Sequence, residues 1–216
     1  KLGPRIDFAE MAAIPLIDPK TLNPSEPGIE LDLFQDLVCP FSRRMMLRLT
    51  SEVIPQCAGK NVQFNFHPIP QPWHPQSTML HEAALAVHEM HGDKGFLQMA
   101  MAIYESMERF QDVETYDKTR SQIYRELQEL GSVVPGFDKD KFMEMLVYRP
   151  ENEGDRNSGN AMTKRLKLHI RHHRTLGVHV SPTVLFQGEE VKEISSGWTA
   201  EQWMTYINAK LGSAKL

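Results

Sequence analysis

Residues 29–42 read IELDLFQDLVCPFS. Ile29, Leu31 and Leu33 alternate with Glu30 and Asp32, the period-two pattern of a strand with one apolar face, and the run stays strand-like as far as Val38. Cys39 and Pro40 end it. From Phe41 to Ile54 the apolar Met45, Leu49 and Val53 recur at helical spacing, which predicts a helix with Pro40 in its first turn, where a missing N–H costs nothing. Gly59 is a plausible stop, and NVQFNF at 61–66 alternates again through Val62, Phe64 and Phe66. Strand, helix and strand in that order predict a parallel pair with a right-handed crossover.

Working outward, prolines at 4, 15, 19, 24 and 27 predict an extended arm over 1–28, with room for an edge strand at 14–17. A proline-rich loop from His67 to Pro75 leads into a long helical region. There Met79, Ala83, Val87 and Met90 form one stripe, and Phe96, Met99, Ile103, Met107 and Phe110 form another. These methionines are read as core packing. Weaker stripes over Ser121–Leu130 and Asp138–Tyr148 predict shorter helices, the second N-capped by Asp138, and 151–160 reads as a polar loop. A helix from Ala161 to Thr175 stops at Gly177. Then VHVSPTVLFQG (178–188) and EEVKEI (189–194) predict two strands about the Gly188 turn. Thr199 and Gln202 match a capping box, and Trp203, Tyr206, Ile207 and Leu211 give the closing helix its apolar face. The organisation is α/β: an arm at 1–28, one unit from 29–75 and 161–212, and an inserted helical block at 76–160.

The chain has 216 residues, 41% of them apolar, which excludes a disordered or low-complexity protein. With 24 basic against 28 acidic residues and a net charge of −4, no nucleic-acid groove is expected. Charges interrupt every apolar run before it reaches membrane-spanning length, so no membrane insertion is expected. Residues 1–10 lack the apolar core of a secretory signal, which leaves the compartment open, as is the oligomeric state. Two cysteines, Cys39 and Cys57, are too few for a disulfide-stapled scaffold or an all-cysteine zinc site. Cys57, after the first helix, reads as a buried small hydrophobe.

Chemistry concentrates at Cys39-Pro40-Phe41-Ser42, where a strand gives way to a helix. Unpaired N–H groups and the positive helix end favour an anion there, so a cysteine so placed is biased towards its reactive thiolate. Arg43 and Arg44 add positive charge nearby. The second element is Val180-Ser181-Pro182-Thr183: proline entering a strand is disfavoured except at an edge, a bulge or a cis turn, so a cis bond is expected before Pro182.

From LFQDLVCPFS, the helical insertion and LGVHVSPTVLFQGEEV, the chain resembles a DsbA-like thioredoxin-fold protein over roughly Ile29 to Leu211. The resemblance implies that Cys39 is the nucleophile of a thiol–disulfide oxidoreductase and that Pro40 and Phe41 are the variable pair that follows it. It also implies that Pro182 is the cis-proline facing the thiol and that the backbone of Ser181 contacts substrates. Ser42 stands where the family has its resolving cysteine. A cysteine paired with serine stops at the mixed disulfide until an outside thiol attacks, so a monothiol enzyme working with protein thiols or glutathione is expected. In that reading the Ser42 hydroxyl donates to the Cys39 thiolate.

Two other readings stay open. The chain also resembles kappa-class glutathione transferases and the related chromene-carboxylate isomerases, which implies that Cys39 or Ser42 would bond the glutathione sulfur and Ser181 its backbone. A non-catalytic, peptide-binding thioredoxin-fold module is the third reading. No tightly bound cofactor is implied; glutathione would be a co-substrate. His81, His88 and His91, and His169, His172 and His173, have spacings that permit metal ligation, but no acidic or cysteine ligand completes either set, so no metal is expected. His74 is expected near the strand ends, where sites of such sheets form, and Trp73 is expected to pack the insertion onto the sheet.

Overall fold

A computed structural model of the chain describes residues 14–15, 28–148, 150, 154 and 156–213. The predicted arm therefore lies outside the described residues apart from Ile14, Pro15 and Gly28, and the 151–160 loop is described only in part. Five strands form one sheet: β1 (Ile14–Pro15), β2 (Ile29–Gln35), β3 (Val62–Pro68), β4 (Thr183–Phe186) and β5 (Glu189–Glu190), in the spatial order β1-β3-β2-β4-β5. β2 and β3 are parallel, with Leu31 opposite Phe64 and Leu33 opposite Phe66. The other neighbours pair antiparallel.

The connection between β2 and β3 begins with helix α1 (Pro40–Arg48) and continues through a π turn (Leu49–Val53) into a 3-10 turn (Ile54–Cys57). The predicted helix is present in extent but changes winding. Pro55 has no N–H to return to the preceding turn, and the hydroxyls of Thr50 and Ser51 bond back to the carbonyls of Met46 and Leu47 at 2.8 and 2.7 Å. β2 ends at Gln35, short of the expected Val38. Asp36 turns the chain there: its side chain accepts the Val38 N–H at 3.2 Å and its carbonyl accepts the Cys39 N–H at 3.2 Å.

The two faces of the sheet differ in chemistry. Ile29, Leu31 and Leu33 with Val62, Phe64 and Phe66 enter the main core, joined by Trp203 and Ile207 of α7 (Ala200–Ser213). The other face carries Asp32, Phe34, Asn65 and His67, with α6 (Thr163–Thr175) packed against β3. His67 stacks on Phe34 with ring centroids 4.6 Å apart, and His172 of α6 reaches His67 at 5.1 Å. Alternation in β3 thus separates an apolar face from a polar one, yet the strand is buried along its whole length.

Between β3 and α6 lies the helical block: α2 (Ser77–Glu105), α3 (Asp112–Thr115), α4 (Arg120–Leu130) and α5 (Lys139–Leu146). α2 bends at Gly92, whose φ of 66° suits glycine, and the bend separates the two apolar stripes of the sequence. The Asp138 side chain caps α5 by accepting the N–H groups of Asp140 and Lys141, both at 3.0 Å. Met99 and Met107 are buried in the same core as the sheet residues. Glu82 is buried within the block. It accepts hydrogen bonds from Arg120 at 2.7 Å, Asn160 at 3.0 Å, Thr163 at 2.9 Å and the Tyr124 hydroxyl, which ties α2, α4 and α6 together. Among the described residues no helix is long and apolar enough to cross a membrane.

Candidate active site

Cys39 is the N-cap residue of α1, with Pro40 opening the helix and the Arg43 N–H bonded to the Cys39 carbonyl at 2.9 Å. No side-chain cap serves this helix start, so its first amides remain available to an anion. The Cys39 thiol donates to the carbonyl oxygen of Ser181 at 3.5 Å, and the Ser181–Pro182 peptide bond is cis. Phe41 is 52% exposed beside the thiol, with the Arg44 guanidinium 5.5 Å from its ring centre, and Pro40 is exposed as well. Arg43 turns the other way and donates to the Tyr104 carbonyl at 2.6 Å. Cys39, Pro40, Phe41, Ser181 and Pro182 therefore meet in one place.

Ser42 departs from its expected contact. Its side chain is fully buried, and its oxygen accepts the Asp36 N–H at 3.3 Å. No bond from Ser42 to the Cys39 sulfur occurs among the described residues. The buried Asp36 N–H at the strand–helix turn takes up the Ser42 oxygen instead.

That turn is organised by Asp36, which the sequence reading did not single out. Its carboxylate is fully buried and accepts from Ser77 Oγ at 2.5 Å, from the Gln71 N–H at 3.2 Å and from His74 Nδ1 at 2.8 Å. His81 Nε2 lies 3.6 Å from it, beyond hydrogen-bond length, and instead accepts the Leu37 N–H at 3.4 Å, so His74 is the histidine that bonds Asp36 directly. Burial would raise the Asp36 carboxyl; the bonds from His74 and Ser77 and the nearby His81 outweigh it and hold the group well below the usual carboxylate range. The same contact pushes His74 up. The Tyr104 hydroxyl, pushed well up by burial and by the Asp36 charge, stays protonated and donates to the Asp36 carbonyl at 3.2 Å. The one available sequence signal was a lone acid in FQDLVC, at the end of an otherwise apolar strand.

The remaining cysteine is apart from this site. Cys57 closes the 3-10 turn beyond α1, 4.0 Å from Met204 Sδ, and burial pushes its thiol up. His169 and His173 are buried in α6, with His173 Nδ1 bonded to the Val178 carbonyl at 3.0 Å. Trp73 does not pack the insertion onto the sheet: it is 56% exposed and stands between two cavities, one of them beside His74. The loop that carries it runs through two tight turns, closed by the His74 N–H on the Gln71 carbonyl at 3.0 Å and the Ser77 N–H on the His74 carbonyl at 2.9 Å, and the indole projects from the first of them.

A parallel strand–helix–strand unit, an antiparallel strand following a prolyl loop, and helices inserted between the two halves define a thioredoxin-like fold of the DsbA type. Solved structures share it. A Pseudomonas syringae protein described as a protein-disulfide isomerase superposes with a TM-score of 0.67 at 22% identity, over 84% of this chain and 95% of its own. Oxidised Mtb DsbA does so at 0.61 and 15%, over 94% and 98%. MdbA, a thiol-disulfide oxidoreductase from Corynebacterium diphtheriae, gives 0.59 and 15%, over 94% and 89%. No protein-family model matches the sequence, and comparison with curated proteins finds no match.

Proposed function

We propose that the chain is a monothiol thiol–disulfide exchange enzyme acting through a mixed disulfide on Cys39. The observation that carries this reading is the placement of the Cys39 sulfur, at an uncapped helix start and 3.5 Å from the Ser181 carbonyl beside Pro182. The shared fold with proteins named as thiol–disulfide oxidoreductases supports it. In this reading residues 29–75 and 161–212 form the exchange unit, and 76–160 form the inserted unit behind it.

The Cys39 thiolate attacks one sulfur of a disulfide, forming a new S–S bond as the old one breaks, and the second sulfur leaves as a thiolate. Pro40 and Phe41 flank the incoming sulfur, and the backbone of Ser181 with Pro182 aligns the partner chain. Because Ser42 holds no thiol, release needs a second molecule. A protein thiol or glutathione attacks the mixed disulfide and returns Cys39 to its thiolate, with no net change in the number of disulfides. Incubation with oxidised glutathione followed by mass spectrometry is expected to show one adduct, on Cys39 and not on Cys57. Equal labelling of both cysteines, or of neither, would overturn the reading in favour of a peptide-binding module.

A further inference from the structure

A cavity of about 610 Å³ opens between the Pro70–Pro75 loop and the end of α6 with the segment 178–180. Its walls are mixed. Trp73, Ile170, Val178 and Val180 supply apolar surface, while His74, Arg174 and His179 supply cationic or hydrogen-bonding groups, and no aspartate or glutamate lines it. Arg174 forms no ion pair among the described residues. Asp36 holds His74 by Nδ1, which leaves Nε2 directed away from that carboxylate. The end of α6 adds little negative character, because amides meet its last carbonyls: Leu176 N–H on His172 at 3.1 Å, Gly177 on Arg174 at 3.1 Å and Val178 on His173 at 2.8 Å.

The cavity is tied to the surroundings of the thiol through two of its wall residues. Val180 on its wall precedes Ser181, whose carbonyl is 3.5 Å from the Cys39 sulfur, and His74 is bonded to Asp36, whose carbonyl holds the Cys39 N–H. We infer that this cavity selects, as exchange partners of Cys39, small disulfides and thiols that carry a carboxylate on a partly apolar body. The carboxylate meets Arg174, with the imidazoles of His74 and His179 beside it, and the body lies against Trp73 and Val180. This rests on the exchange chemistry proposed for Cys39. In that exchange a carboxylate-bearing sulfur joins Cys39 and its partner sulfur leaves as a thiolate.

Two measurements separate the site from the chemistry. The first is the rate of adduct formation on Cys39 with oxidised glutathione, neutral hydroxyethyl disulfide and cationic cystamine, each corrected for its intrinsic reactivity towards a free thiol. Oxidised glutathione is expected to react fastest and cystamine slowest. Arg174→Gln should slow the oxidised glutathione reaction about tenfold, the scale of one lost charge-assisted hydrogen bond, and leave hydroxyethyl disulfide within about twofold. Equal corrected rates in the parent, equal slowing of all three in Arg174→Gln, or loss of the preference in Arg44→Gln and not in Arg174→Gln would overturn the assignment. The second measurement is calorimetric binding of S-methylglutathione, which cannot exchange, to Cys39→Ala. Binding that disappears when Arg174→Gln is added supports the site even if no disulfide labels Cys39, and absence of binding to Cys39→Ala overturns it even if Cys39 proves reactive.

Discussion

Although 142 positions apart in the chain, the Cys39 sulfur and the Ser181 carbonyl oxygen stand 3.5 Å apart, and this places the thiol against the loop that leads into β4. Cys57, by contrast, sits under α7 beside Met204, with burial holding it in the unreactive thiol form. Native-state alkylation with iodoacetamide should modify Cys39 at least about tenfold faster than Cys57, the gap closing only on unfolding. Comparable native rates would contradict the placement of the two sulfurs.

Ser42 is expected to matter for stability more than for the thiol. Ser42→Ala removes the oxygen that accepts the buried Asp36 N–H and should cost about 1–3 kcal/mol in urea denaturation, with glutathione labelling of Cys39 retained. Ser42→Cys should do something different and let the protein reduce insulin disulfides without added glutathione, since the second thiol can then release the mixed disulfide. A loss of Cys39 labelling in Ser42→Ala at full stability would restore the direct Ser42–Cys39 contact that the sequence led one to expect.

The Asp36 side chain ties the turn that carries Cys39 to His74 of the proline-rich loop and to Ser77 at the start of α2, so Asp36→Ala should cost about 3–5 kcal/mol by leaving these partners unmatched. The milder Asp36→Asn tests the electrostatics. His74 owes its raised affinity for a proton first to Asp36, and NMR titration should find it returned towards the ordinary 6.5 in the variant. An unchanged His74 titration would mean that Asp36 is not its partner in solution.

Acid should weaken the protein in two stages. Burial lowers His169 to about 3, and His88, His172 and His173 are also lowered. Below the ordinary histidine value of 6.5 the unfolded chain takes up protons that these native histidines refuse, so stability falls with pH, for His169 by on the order of 1 kcal/mol per pH unit. Asp32 and Asp36 add a second loss below the ordinary aspartate value of 3.8, because their native carboxyls are held lower. His74 works in the opposite sense, its contribution being full below 6.5 and lost as the pH rises through its higher native value. Urea midpoints from pH 7.5 to 5 should decline, and less steeply in His169→Leu. An identical slope in that variant would remove His169 from the account.

Two carboxylates on the same helix should differ sharply. Glu82 is buried and serves four partners, so Glu82→Ala should lower stability by about 3–5 kcal/mol, whereas Glu89→Ala, which breaks an exposed pair with Arg165, should cost no more than about 1 kcal/mol. Equal losses in thermal melts would show that Glu82 is not the tie between the helices.

The sequence by itself determined the strand–helix–strand unit, the helical block, the return of strand character near Pro182 and the cysteine at a helix start. Each is written in local spacing: alternation at Ile29–Leu33, recurrence at Met45–Val53, a proline just past Cys39. Only the tertiary structure brought Ser181 to the thiol and decided what lies under the turn that carries it. Asp36, Ser77, His81 and Tyr104 converge there from β2's end and from α2, and Ser42 turns inward to them; no spacing rule connects positions so far apart. Burial of the polar sheet face was equally invisible, because alternation in β3 records which residues share a face, while the covering of Asn65 and His67 depends on α6 returning from a hundred residues further along the chain.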